Sequence, residues 1–356
     1  MQPTHDGVLQ IEPTDHCNLS CKMCAPHHEG WEEIHNVPKG FLDISLFRRI
    51  IDGLVADDCR FDHIIFQWLG DPSLHPDLPE LLNITADKMG SRVGYLRVDT
   101  NAIRLPPERM DGILAAARPE VPLLVVFTLD AHTAETYAKV KGQDALERVR
   151  RNIRYLIRRR KELSVPLNIQ LQFVVQPGNE HEAGDFLQYW SDLLGCQGGD
   201  LWHDELMFKR LSIGGGAVGQ AAADRLYEKT MKDFDIKAGK KGGVEVNVWE
   251  SRPWQDDDEH DGGRSACPGL WITPVIRHDG QLMMCCADLR GELSLGSLAD
   301  HGFRELWEGE QATTKRMQHL SGRFEGVCEG CGGINWYETT PSMVSTTRER
   351  AKALGL

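Results

Sequence analysis

Short apolar runs alternate with helical patterns from residue 8 to about residue 213. The runs at 8–12, 63–69, 94–100, 123–129, 167–175 and 205–213 read as strands. Between them, apolar residues at helical spacing predict helices near 43–56, 76–89, 107–117, 144–163 and 179–194. The fourth is the clearest, with Leu146, Val149, Ile153, Leu156 and Ile157 on one face. Its Arg148, Arg150, Arg151, Arg154, Arg158, Arg159 and Arg160 mostly fall elsewhere and read as a solvated basic face rather than a docking patch. Six strands alternating with helices predict an α/β fold with a parallel sheet. Six repeats suit a partial (β/α)6 TIM-like barrel, with its site at the C-terminal strand ends.

The pattern breaks beyond residue 213, in a stretch that carries GGGAVG, AGKKGG and the acidic run DDDEHD at 256–261. The glycine cluster lacks a Walker lysine and serine, so it reads as loop rather than phosphate cradle. This divides the chain into a barrel at 1–213, a connecting segment at 214–265, a small cysteine-rich domain at 266–340 and a peripheral tail at 341–356. No internal repeat is visible.

Composition narrows the function. With 41% hydrophobic residues in 356, the chain can build a core and is not a disordered segment. No apolar run approaches the roughly 18–20 residues that span a bilayer. The start of the chain has neither a basic nor an apolar signal-peptide region, which places the protein in the cytoplasm. A net charge of −13 argues against nucleic acid as the main partner. It is compatible with a cationic small-molecule substrate. Ten cysteines in a reducing compartment point to metal ligation or catalysis before disulfides.

The first strand runs into EPTDHCNLSCKMC, which spaces Cys17, Cys21 and Cys24 as C-x3-C-x2-C on a loop. Structural zinc usually takes four ligands in C-x2-C pairs. Three thiolates on one loop suit a cubane cluster whose fourth iron stays open. This motif resembles that of the radical S-adenosylmethionine (SAM) superfamily, and the resemblance covers almost the whole chain. It implies that the open iron chelates SAM, and that an electron from the cluster cleaves the sulfonium to a 5′-deoxyadenosyl radical. Such a radical abstracts hydrogen from unactivated carbon inside a shielding barrel.

Further stretches resemble the family at the expected strand ends. Leu69-Gly70-Asp71-Pro72 stands where the family has GGEP, which holds the methionine amino group. Leu replaces the first Gly and Asp replaces Glu, so the carboxylate is kept on a shorter arm. Thr100-Asn101 resembles a threonine–asparagine pair near the cofactor, and Thr128 stands for the serine of an "SLD" stretch. Those three residues also read as ordinary strand-end turn chemistry. Met23 occupies a position that is often aromatic and packs near the adenine.

The C-terminal region offers a second thiolate set, Cys267, Cys285, Cys328 and Cys331. Apolar stretches on both sides of Asp279-Gly280 predict a hairpin with a tight turn. That hairpin would bring Cys267 and Cys285 together, and a later loop would add Cys328 and Cys331. Four thiolates fit a structural zinc or an iron–sulfur cluster. The region resembles the twitch domain, a shortened relative of the SPASM domain, through Cys267, the DG turn, Cys285, Asp288, Gly296, Leu298, the helix FRELW and the C-x2-C pair. The resemblance implies one auxiliary [4Fe-4S] cluster ligated entirely by protein, beside the SAM-binding [4Fe-4S] cluster. A saturated cluster moves electrons rather than binding substrate.

Cys59 and Cys196 read as packing residues. Cys286 follows a cluster ligand and reads either as a buried thiol or as a hydrogen-atom donor in an epimerase. Three functions remain open. One is a radical oxidoreductase that dehydrogenates an H–C–OH carbon of a small polar metabolite, as in the twitch-domain aminocyclitol dehydrogenases of antibiotic biosynthesis that the chain resembles. The others are an epimerase using Cys286 and a ribosomal-peptide maturase. Only 16 residues precede Cys17, which leaves no room there for a fused leader-recognition domain. A non-enzymatic iron–sulfur carrier or zinc module would not need the barrel. Gln67, Asp99, Asp130, Gln172, Gln176 and Lys209 lie near the strand ends as candidate substrate contacts, and the proton acceptor is unassigned. The resemblance also implies a flavodoxin- or ferredoxin-type electron donor.

Overall fold

The computed structural model describes residues 7–27, 38–195, 203–212, 219–249, 265–329, 331, 333–334 and 337–356. Six strands form its centre: β1 (Val8–Ile11), β2 (Phe61–Phe66), β3 (Val93–Thr100), β4 (Leu123–Thr128), β5 (Leu167–Val175) and β6 (Glu205–Arg210). Each pairs with the next in parallel. Parallel neighbours need crossover connections. Helices α1 (Ile44–Ala56), α2 (Leu78–Met89), α3 (Pro107–Leu114), α4 (Ala134–Lys141), α5 (Leu146–Leu163) and α6 (Ala183–Gly195) lie in those crossovers.

Strand alternation splits the two faces of this sheet. Ile64, Phe66, Leu96, Val98, Val125, Phe127, Ile169, Leu171 and Phe173 are buried in the core cluster they share with the helices. The opposite face of β3 carries Tyr95, Arg97 and Asp99, all half-buried, and the register pairs these rows across β2 to β6. Helix α1 illustrates the packing. Asp43 caps it by accepting a hydrogen bond from the Leu46 amide at 2.9 Å. Its buried Phe47, Ile50, Ile51 and Leu54 each contribute about 1.5–3 kcal/mol of apolar transfer.

Three parts of the chain differ from the sequence expectation. The region read as one helix from 144 is preceded by the separate α4, which Thr133 caps and Gly142 ends in a left-handed conformation (φ 78°). Within the stretch read as a connecting segment, α7 (Gln220–Asp233), β7 (Gly239–Lys241) and β8 (Val244–Val248) continue the sheet. Strand β8 runs parallel to β6, and its Val244 and Val246 alternate into the core. Residues 214–218 and 250–264 of that stretch, which include GGGAVG up to Val218 and the acidic run 256–261, lie outside the described residues, as does Cys196.

The C-terminal region joins the same sheet on its other side. After α8 (Gly269–Ile272), the hairpin of β9 (Val275–Ile276) and β10 (Gln281–Met283) attaches through β9, parallel to β1. Gly280 closes its turn at φ 83°, a conformation that favours glycine. Strand β11 (Ser294–Ser297) completes the order β11-β10-β9-β1-β2-β3-β4-β5-β6-β8-β7. Helices α9 (Phe303–Trp307) and α10 (Glu310–Leu320) follow. The tail, read as peripheral, forms α11 (Pro341–Leu354). It is docked: Trp271 Nε1 donates to Thr347 Oγ1 at 2.9 Å, and Arg350 Nε donates to the Glu308 carbonyl at 2.7 Å.

Candidate active site

A cavity of about 430 Å³ opens at the C-terminal ends of the parallel strands. Cys17, Cys21 and Cys24 line it, together with Met23, Gln67, Gly70, Asp71, Asp99, Thr100, Asn101, Thr128, Asp130 and Gln172. The loop that carries the cysteines is held from below. The Asp71 amide donates to the His16 carbonyl at 2.8 Å. Gly70 allows that approach, because a Cβ there would stand 2.2 Å from the Thr14 carbonyl oxygen. A turn from the Cys21 carbonyl to the Cys24 amide, at 3.1 Å, folds the end of the loop.

The thiols are expensive to ionise in this hollow. Burial pushes Cys17 up to about 11 and Cys24 up to about 12. Burial also raises Cys21. Mutual repulsion among the three would-be thiolates adds to the shift, and the Lys141 ammonium opposes it. Lys141 is buried and ion-paired with Asp130; burial opposes its charge, but the charge and hydrogen bond of Asp130, with the charges of Cys21 and Tyr137, together hold its pKa above the ordinary value. Three thiols raised by burial, beside a single cation already paired, are a set that a bound cationic cluster would stabilise as thiolates. The donor set therefore fits an iron–sulfur cluster on Cys17, Cys21 and Cys24.

Asp71 is more engaged than the sequence suggests. Its carboxylate accepts from the Ser73 amide (2.9 Å) and hydroxyl (2.5 Å), the Thr100 hydroxyl (2.8 Å) and the Asn101 amide (2.7 Å). It thus ties the end of β2 to the end of β3. Asn101 continues the link, donating to Asn18 Oδ1 at 3.0 Å, next to Cys17. Thr128 and Gln172 line the cavity, and Gln176 donates to the Met23 sulfur at 3.2 Å.

Lys209 lies one strand beyond the cavity wall, as the register partner of Val174. Burial, and then the charge of Arg97, lower its pKa below the ordinary 10.5. Arg97 itself forms a two-pronged ion pair with Asp99, at 2.6 Å for each contact.

The thiols of the second set influence one another electrostatically, although no group of three or more such side chains among the described residues stands ready to hold a metal ion. Cys267, Cys285 and Cys331 act electrostatically on Cys328, and Cys285 and Cys331 act on Cys267. Cys267, Cys285 and Cys328 are buried. Burial raises Cys267 and pushes Cys328 up to about 11, while Cys285 is raised first by its hydrogen bond with the Cys286 thiol and then by burial. The Ala287 and Gly333 amides point at Cys285 Sγ (3.5 Å) and Cys331 Sγ (3.3 Å), contacts that tune cluster potentials. Four sulfur donors with amide hydrogen bonds fit a fully ligated cluster.

Cys286 does not line the described cavity. Its thiol interacts with that of Cys285 and with Thr273. Its carbonyl accepts from the indole N–H of Trp68 at 2.9 Å. Trp68 lines the cavity, so this bond spans from the cavity wall to the residue beside Cys285. Sequence reasoning missed Trp68 and Lys141. Neither belongs to a spaced motif, and their roles depend on contacts with residues distant in the chain or on burial.

Known proteins place this arrangement. The profile of the Radical SAM superfamily matches residues 11–183, and the profile of the SPASM iron–sulfur cluster-binding domain matches residues 267–332. The chain thus carries a radical SAM domain followed by a SPASM domain. Its radical SAM domain carries a [4Fe-4S] cluster and SAM, and its SPASM domain carries auxiliary iron–sulfur chemistry. Among curated relatives, GTP 3′,8-cyclase 1 of Mycobacterium tuberculosis is 26% identical over 155 residues, covering 40% of this chain and 37% of that protein. The tungsten-containing aldehyde ferredoxin oxidoreductase cofactor-modifying protein of Pyrococcus furiosus is 25% identical over 193 residues, covering 52% of this chain and 48% of that protein. The alignments thus span about half or less of those relatives. Among solved structures, a histidine-tagged anSMEcpe with bound AdoMet superposes with a TM-score of 0.61 at 16% identity, covering 98% of this chain and 93% of that one. This likeness is one of fold.

No helix among the described residues is long and apolar enough to cross a membrane.

Proposed function

We propose that this radical SAM enzyme is an oxidoreductase that dehydrogenates an H–C–OH carbon of a small polar metabolite, such as an aminocyclitol or sugar, in natural-product biosynthesis. The observation that carries this reading is the Trp68–Cys286 hydrogen bond, which joins the cavity wall to the backbone beside Cys285. A substrate held against Trp68 is thereby close to an electron acceptor.

Cluster-bound SAM supplies the radical that removes the carbon-bound hydrogen. The chain's residues do the rest. Cys17, Cys21 and Cys24 hold the first cluster, and Gly70, Asp71, Thr100, Asn101 and Thr128 shape the cofactor's side of the cavity. The Asp71 network fixes the two strand ends rather than leaving a free carboxylate. Lys209, whose amine feels the charges of the cavity-lining Asp99 and Asp130 and is neutralised more readily by burial, takes the hydroxyl proton. Cys267, Cys285, Cys328 and Cys331 hold the acceptor of the second electron. One hydrogen atom, one proton and one electron leave the substrate, which balances formation of the ketone.

An epimerase needs a thiol facing the substrate radical. The contacts of Cys286 with Cys285 and Thr273, outside the cavity lining, weigh against that role.

Amino sugars and aminocyclitols deuterated at the carbinol carbon test the proposal. A dehydrogenase transfers that deuterium to 5′-deoxyadenosine and forms one ketone per SAM consumed. Unoxidised product in which solvent protium has replaced the deuterium at that carbon would instead establish an epimerase.

A further inference from the structure

We propose that the arginine-lined cleft beside the cluster loop is the docking surface for an acidic electron-donor protein of the flavodoxin type. The proposal rests on the radical SAM reading, since that chemistry requires single electrons to reach the first cluster.

The cleft has a volume of about 610 Å³ and is lined by Ser73, Arg104, Arg109, Arg148, Arg151 and Asn152, among others. Arg104, Arg148 and Arg151 are exposed and make no ion pair among the described residues. Other arginines on α5 behave differently. Arg150, Arg158, Arg159 and Arg160 pair with Glu147, Glu162, Asp111 and Asp204. Two of the unpaired arginines of this helix thus stand at the cleft, while Arg154 donates to the Tyr189 hydroxyl, on a chain whose net charge is −13. Arg109 has a separate task, donating to the Ser73 and His75 carbonyls at 2.5 and 2.7 Å.

The cleft connects to the first cluster loop. Asn152 Nδ2 donates to the Ala102 carbonyl at 2.7 Å. The adjacent Asn101 donates to Asn18, which follows Cys17. Gly142, just before α5, packs against Ser20 of the same loop, where a Cβ would stand 3.1 Å from its carbonyl oxygen. A protein seated on the arginines would sit two hydrogen bonds from the cluster loop. An acidic donor is attracted to this spot and repelled by most of the remaining surface, which fixes its orientation as well as its approach.

The test compares wild type with the charge-reversal variant Arg104→Glu/Arg148→Glu/Arg151→Glu. Both are reconstituted with iron and sulfide and assayed for 5′-deoxyadenosine. With dithionite as reductant, the two are expected to cleave SAM at the same rate. With purified reduced flavodoxin, the variant is expected to be slower by about tenfold or more, because steering by complementary charge changes association by about 10- to 1,000-fold. Direct binding of flavodoxin, followed by biolayer interferometry, should weaken steeply with sodium chloride for wild type and only slightly for the variant. Equal rates and equal salt dependence with flavodoxin would overturn the proposal. So would a matching loss with dithionite, which would make the cleft part of the fold or the active site. Failure of wild type to cleave SAM even with dithionite would instead count against the radical reading itself.

Discussion

Asp71 is one methylene shorter than the glutamate of the family stretch it resembles, and its surroundings match that reach. At this length the carboxylate meets Ser73, Thr100 and Asn101 and becomes the knot between two strand ends. Replacing Asp71 by Ala strands several buried donors, each costing about 1–3 kcal/mol, so a loss of roughly 2–5 kcal/mol is expected in chemical denaturation. Trp68→Phe keeps the ring in the cavity wall but removes the donor to the Cys286 carbonyl. The expected result is 5′-deoxyadenosine formation within about twofold of wild type, with fewer ketones formed per SAM, read by coupled quantification of both products. Lys209→Met should abolish ketone formation while SAM cleavage persists. The pH dependence has a defined sign. Because burial lowers the Lys209 pKa, the neutral amine grows as pH rises through that lowered value, and the wild-type ketone rate should rise with it. At this scale the sequence was most informative where residues are spaced by a motif, as at Cys17, Cys21 and Cys24. Lys141 and Trp68 depend on tertiary contacts, which no local spacing encodes.

The β9–β10 hairpin carries the C-terminal module onto the barrel, and one buried pair clamps it. His278 Nδ1 lies 2.9 Å from Glu12 Oε2, and the other Glu12 oxygen accepts from the Leu69 amide at 3.2 Å. Burial pulls the His278 pKa down, but the hydrogen bond and charge of Glu12, with the charge of Asp15, hold it above the ordinary 6.5. A histidine raised on folding stabilises fully below its unfolded pKa, and that contribution is lost as pH rises through the folded value. The melting temperature of wild type should therefore fall as pH rises above about 6.5, and His278→Gln should flatten that fall. Thermal unfolding monitored by circular dichroism across this range checks it. The hairpin was legible because a DG turn sits between two apolar runs. Strand β8 was not, although Val244-Glu245-Val246-Asn247-Val248 alternates strictly, because so short a run follows directly on the glycines of AGKKGG and reads with that loop. The eight residues of α4 likewise fall outside every predicted helix, since two turns carry little periodicity.

Across the whole molecule, one continuous sheet carries the sites of both thiol sets. The first set lies beyond the end of β1, and the second flanks the β9–β10 hairpin that pairs with β1. That adjacency sets two motifs far apart in sequence on neighbouring strands of one sheet. The alternation of apolar runs and helices made the barrel legible. The joining of the C-terminal module to β1 was not legible, because a two-residue strand has no pattern of its own. The central claim is that the second thiol set holds its own electron-accepting cluster. The direct measurement is iron per chain, with electron paramagnetic resonance, in the Cys17→Ala/Cys21→Ala/Cys24→Ala variant reconstituted without oxygen. The account predicts about four irons and a reducible cubane signal, held by Cys267, Cys285, Cys328 and Cys331. Zinc in place of iron would make the C-terminal module structural and contradict the oxidation mechanism.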